Sequence, residues 1–187
     1  QIVIDDEDAA FKAVEHLINT GKKRIAIIKE TESSILSEKR YVGYLKALKK
    51  YGLDLDESQV MSSENLSIAE GKKLAKVLVG LQHKPDAIFA ITDEAGIGAI
   101  QVLKKNKIKI PAEIAVVGFS NSIYSTIIRP KLTTIDQPGN RIGEIAIKYL
   151  IDEINSDNEI SYKTIEIKTN LIVRGSSFKS LKRNSLA

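Results

Sequence analysis

Residues 85–100, PDAIFAITDEAGIGAI, hold the unit that decides the fold. Pro85 has no N–H for a sheet ladder and suits the entry to a strand. The run 86–91 is then almost wholly apolar, as in a parallel strand covered on both faces, with none of the alternation of a half-solvated one. Thr92 and Asp93 end it, and small and apolar residues continue at helical spacing to about residue 106.

The same alternation recurs on both sides. Upstream, Asp5 and Asp6 open an acidic first turn, and Ala9, Ala10, Ala13, Val14, Leu17 and Ile18 follow at helical spacing up to Gly21. A short strand covers 24–28. A helix covers about 37–51, with Tyr41, Tyr44, Leu45 and Leu48 inward, and 60–61 is a brief strand. Ser67 and Glu70 form a capping box for a helix to about 81. Downstream, strands are predicted at 114–117 and 133–135. Pro138 starts a long helix to about 154, and strands at 165–167 and 171–173 close the chain. Helices alternating with such strands predict an α/β fold, a Rossmann-like parallel sheet flanked by helices.

The chain has 187 residues, about one domain or two small lobes. It has no cysteine, which excludes disulfide scaffolds, zinc ribbons, iron–sulfur sites and thiol catalysis. Its histidines are His16 and His83 alone, too few for a multi-histidine metal site. No apolar run reaches the roughly 18 residues of a membrane span. The net charge is +4, but Lys179, Lys182 and Arg183 of the tail supply most of it, so the body offers no basic nucleic-acid surface. The chain opens on Gln1 and runs at once into a strand-like segment. No signal peptide is read there, and the expectation is a piece of something longer.

Open α/β sheets bind ligands beyond the carboxyl ends of their strands. That rule selects Lys29, Glu30 and Thr31; Thr92 and Asp93; Gly118, Phe119, Ser120 and Asn121; and Asp136 with Gln137. Their groups suit hydrogen bonding to a polar ligand better than proton chemistry. Turns and helix caps prefer the same residue types, so either role fits each one alone. Enzyme motifs are incomplete. Gly96-Ile97-Gly98 lacks the third glycine of a dinucleotide fingerprint and falls inside a helix, where small residues packing helix on sheet account for it. Gly118-Phe119-Ser120-Asn121-Ser122 lacks the second glycine of a nucleophile elbow, and no histidine follows it. The acidic run 5–8 lacks calcium-loop spacing and is read as favourable charge at a helix start. No metal, cofactor or catalytic role is expected.

Several stretches carry a family likeness: AVEHLINTGKKRIAII (13–28), RYVGYLKAL (40–48), PDAIFAITDEAGIGAI (85–100), IPAEIAVVGFSN (110–121), PKLTTIDQP (130–138), IGEIAIKYL (142–150) and LIVRGSS (171–177). In this order they resemble the effector-binding domain of LacI/GalR-type bacterial transcription regulators, which has a type I periplasmic-binding-protein fold. The resemblance implies two lobes joined by three chain crossings, near 20–22, 135–137 and 167–169. Residues 22–135 plus 168–178 form one complete lobe, 1–21 plus 136–167 a partial one, and 179–187 a flexible basic tail. It implies ligand contacts at Asp8, Arg40, Asp93, Ser120 and Gln137, with Thr92 and Asn121 beside them. Thr92 stands where the family has Asn, and Ser120 where it commonly has Asp.

The expectation is a cytoplasmic, non-enzymatic sensor of a small polar effector, a sugar or sugar derivative. It would act on operator DNA through a headpiece outside this chain, as a homodimer with no membrane association. Self-association is expected through the helix at 94–106, with Ile91, Ile97 and Ile100 near the interface. Rival readings are a secreted sugar-binding protein, a regulator signalled by a protein partner, and an α/β enzyme.

Overall fold

A computed structural model describes residues 1–31, 34–155 and 163–178. The tail at 179–187 lies outside the described residues. In chain order the elements are β1 (Ile2–Ile4), α1 (Asp6–Asn19), β2 (Ile25–Glu30), α2 (Ile35–Lys50), β3 (Val60–Ser63), α3 (Ile68–Gly80), β4 (Ala87–Ala90) and α4 (Asp93–Lys105). There follow β5 (Ala115–Ser120), α5 (Ile123–Ile127), β6 (Thr133–Asp136), α6 (Gly139–Ile154), β7 (Ile165–Ile167) and β8 (Asn170–Ile172).

Six strands form one sheet in the order β3-β2-β4-β5-β6-β8, parallel except for the antiparallel β6–β8 pair. The chain leaves β2 toward β3 on one side and returns to β4 on the other. Right-handed crossovers then place α2 and α3 on opposite faces, with α1 beside α2 and α4 beside α3. The strands are buried on both faces, as the apolar runs predict: Ala87, Ile88, Phe89 and Ala90 are all fully inaccessible. β1 and β7 form a separate parallel pair, Ile2 opposite Ile165.

Close helix approaches depend on glycine. A Cβ on Gly43 of α2 would collide with Glu7 O and lie 2.9 Å from Ala10 Cβ on α1. Gly71 and Gly98 do the same for α3 against α4. A Cβ on Gly98 would meet Ile68 O at 2.5 Å, and one on Gly71 would meet Ala95 O at 2.5 Å. The Gly96-Ile97-Gly98 run thus divides its work. Gly96 faces Leu132 and Ala90 on the sheet, whereas Gly98 serves helix-on-helix contact.

The structure corrects three readings. Helix α1 does not belong with a partial lobe. Its Ala9, Ala10, Ala13, Val14 and Leu17 lie in the same core as the six-stranded sheet, and Glu7 and Glu15 pair with Lys46 and Lys50 of α2. The chain joins this core at Asp5, between β1 and α1. Second, Ile91, Ile97 and Ile100 are 1%, 3% and 0% exposed, so they pack inside and present no interface. The exposed apolar residues beside the sheet include Ile123, Tyr124 and Ile127, on the short helix α5 that the sequence pattern did not signal. Third, the Ser67–Glu70 capping box is half formed. Ser67 Oγ accepts from Glu70 N, but the Glu70 carboxylate accepts from Ser63.

Helix α6 has no buried residue. Ile147, Leu150, Ile151 and Ile154 repeat at helical spacing and are 51–73% exposed.

Candidate functional site

The sheet reverses its winding between β2 and β4, the point beyond whose strand ends open α/β sheets bind ligands. Arg40 of α2 lies at these strand ends. Its Nε and Nη2 both lie 2.8 Å from Asp6 Oδ1, and its Nη1 donates to Ile91 O at 2.8 Å. The guanidinium carbon lies 3.7 Å from the centre of the Phe119 ring. Side-chain exposure is 8% for Arg40 and 1% for Asp6. Burial lowers the Arg40 pKa, and Asp6 opposes that shift. Of five guanidinium N–H groups, three have partners among the described residues and two remain.

The acidic run at the start of α1 has several distinct roles. Asp5 is the N-cap by position, yet its side chain makes no cap bond. Its Oδ1 accepts instead from Thr169 N at 3.0 Å and Thr169 Oγ1 at 2.7 Å, tying the start of α1 to the turn between β7 and β8. Asp6 holds Arg40. Asp8 is half exposed and pairs with Lys12 at 2.7 Å, so the acid that meets Arg40 is Asp6 and not Asp8.

Thr92 and Asp93 form the start of α4. Thr92 Oγ1 accepts from Ala95 N as the N-cap and approaches Leu66 O. Asp93 is fully buried. Thr134 Oγ1 donates to its Oδ1 and Ser122 N to its Oδ2, each at 2.6 Å. Burial pushes its carboxyl pKa up against those hydrogen bonds. Both oxygens are engaged within the protein, so Asp93 braces β6 and the loop after β5.

That loop carries unusual backbone. Ser120 has φ 120° and Asn121 φ 53°, conformations that L-residues adopt at a cost of about 1–3 kcal/mol each. Asn121 Nδ2 donates to Asp136 Oδ1 at 2.7 Å, and its Oδ1 accepts from Arg174 Nη2 at 2.6 Å. Arg174 also bonds Ser125 Oγ and Leu132 O. Gln137 follows Asp136, half buried, just before α6. The structure thus gathers Arg40, Thr92, Asp93, Ser120, Asn121 and Gln137 at the strand ends and leaves Asp8 on the outer face of α1. Sequence reasoning missed Asp6, Phe119 as the platform under Arg40, and Arg174. Asp6 was legible only as one acid in a run of four.

Among the described residues no group of three potential metal ligands converges, and no helix is long and apolar enough to cross a membrane.

Comparison with known proteins agrees with this geometry. The periplasmic binding protein-like domain family matches residues 14–177. The NTD biosynthesis operon regulator NtdR of Bacillus subtilis is 34% identical over 173 residues, covering 92% of this chain and 52% of that protein. The transcriptional repressor CytR of Escherichia coli is 33% identical over 174 residues, covering 93% and 50%. The solved complex of the transcriptional regulator CelR with cellobiose superposes with a TM-score of 0.87 at 28% identity, covering 94% of this chain and 53% of that one. The chain spans about half the length of the curated relatives it matches. A doubly wound sheet with its polar groups at the strand ends, matched over nearly the whole chain by these regulators, identifies the family: the chain belongs to the periplasmic-binding-protein-like domains, as an effector-binding domain of the LacI family.

Proposed function

We propose that this domain senses a small, hydroxyl-rich effector, a sugar or sugar derivative, held against the strand ends. It would transmit occupancy to operator DNA through a DNA-binding segment outside this chain. The observation that carries this reading is Arg40. It is a buried cation with three donors fixed by Asp6 and Ile91 and two left over at the switch point of the sheet. Such a fork grips two ligand oxygens without further ordering, which a lysine cannot copy. Ser120 and Gln137 supply further polar contacts beside it. The CelR relative was solved with cellobiose, which supports a saccharide class.

The β1–β7 pair and α6 are read as part of a second lobe, because α6 buries none of its apolar stripe. Ligand closing the two lobes would shift the balance between DNA-binding states. The domain acts in the cytoplasm as a homodimer, with exposed Ile123, Tyr124 and Ile127 as the face offered to a second copy. It performs no catalysis in this reading.

The test is calorimetric titration of the intact protein with hexoses, pentoses, disaccharides and nucleosides, repeated with Arg40→Lys. That variant keeps a cation facing Asp6 but loses the fork. A charged hydrogen bond contributes about 1.5–3 kcal/mol, so affinity should fall roughly ten- to a hundredfold. Binding of nucleosides but no sugar overturns the effector class; equal affinity in Arg40→Lys removes Arg40 from the site.

A further inference from the structure

We propose that Asp136 is a carboxylate that receives the ligand at the strand ends, and that Asn121 positions it. The inference rests on the ligand-sensing reading above and names its specificity-determining acid.

A polar ligand gripped by two donors of Arg40 needs an acceptor for its own hydroxyl hydrogens. The acids near the strand ends can be taken in turn. Asp6 is spent on Arg40, Asp8 faces outward beside Lys12, and both oxygens of Asp93 are bonded inside the protein. Asp136 remains. It ends β6 directly opposite Ser120 of β5 and is half buried. One oxygen, Oδ1, accepts from Asn121 Nδ2 at 2.7 Å, and among the described residues Oδ2 has no partner.

The orientation is over-determined. Arg174 can only donate, so the Asn121 atom 2.6 Å from its Nη2 must be the oxygen, and the amide nitrogen then faces Asp136. The left-handed backbone at Ser120 and Asn121 turns the amide toward β6, a conformation that asparagine tolerates better than most residues. Arg174, Asn121 and Asp136 thus form a relay that fixes one carboxylate oxygen and presents the other. Glu30, at the end of β2, is another acid at this level, and its charge bears on Arg40. No described side chain orients it, so ordering it around a ligand costs more rotamer entropy.

The experiment is calorimetry on the intact protein with the tightest-binding saccharide of the panel above and its singly deoxygenated analogues. Asp136→Asn keeps the shape and removes the charge. It should weaken the parent saccharide ten- to a hundredfold and weaken one deoxy analogue scarcely further, because that analogue lacks the hydroxyl Asp136 would receive. A merely structural role would lower affinity for all analogues alike. Asp136→Glu, which keeps the charge, should recover part of the loss, and it serves as the test if the asparagine variant fails to fold. Glu30→Gln should change affinity less than threefold. Unchanged affinity in Asp136→Asn, an equal loss across every analogue, or a larger loss in Glu30→Gln overturns the inference and leaves the sensing reading intact. Failure of every saccharide to bind overturns the reading and this inference together.

Discussion

The Arg40 guanidinium carbon lies 3.7 Å from the centroid of the Phe119 ring, and both residues are buried. The ring replaces water on one face of the ion while Asp6 and Ile91 O fix its edge. Arg40 is therefore oriented before any ligand arrives. A desolvated cation–π contact is worth about 2 kcal/mol or more. Phe119→Leu should lower the melting temperature by at least about 4–8 °C at the usual scaling for this size. Ligand affinity should fall with it, as differential scanning calorimetry and titration would show.

Arg40 and Asp6 form a buried pair whose separation leaves an uncompensated charge. Arg40→Ala should cost about 3–5 kcal/mol of stability, a melting shift of roughly 6–20 °C. The double variant Arg40→Met with Asp6→Leu should recover much of that loss yet bind no ligand. Denaturant unfolding with parallel titration separates the two effects.

Gly43 lets α1 and α2 touch, since a Cβ there meets Glu7 O and Ala10 Cβ. Gly43→Ala would favour an isolated helix, but here the backbone of α1 must move away. The expected net loss is about 1–3 kcal/mol, read as a lower denaturation midpoint with an unchanged slope.

His16 Nε2 lies 2.7 Å from Ser177 Oγ, which lies 2.7 Å from Thr133 Oγ1. Burial lowers the His16 pKa from its ordinary 6.5. The unfolded chain then takes up the proton first. Its contribution is complete above about pH 6.5 and is lost as pH falls through 6.5 toward the lower folded value. Asp93 acts in the opposite sense. Its raised pKa makes the folded state bind the extra proton, so its contribution declines as pH rises from the ordinary carboxylate range. Melting temperature followed from pH 7.5 to 5 should fall more steeply in the wild type than in His16→Gln.

Ile123 and Ile127 on α5 are 68% and 64% exposed. Changing both to serine should lower the association state in sedimentation velocity with little change in melting temperature. A monomeric wild type at high concentration would remove the dimer from the proposed function.

The order of strands and helices, apart from α5, and the parallel sheet were legible in the sequence. Local patterns determine them: continuous apolar runs such as 86–91, helical spacing such as Ala9, Ala13 and Leu17, and polar residues where each strand stops. What each polar residue does was not legible. Asp5, Asp6 and Asp8 look alike in sequence, yet one binds Thr169, one holds Arg40 and one meets Lys12 in solvent. Asp93 reads as a ligand acceptor until Thr134 and Ser122 are found on its two oxygens. Apart from Lys12, one helical turn from Asp8, these partners lie 29 to 164 residues away, and only the folded sheet brings them within hydrogen-bonding distance. The placement of α1 depended on the fold for the same reason. Its apolar face states that it must be covered, but only the close approach at Gly43 decides which helix covers it.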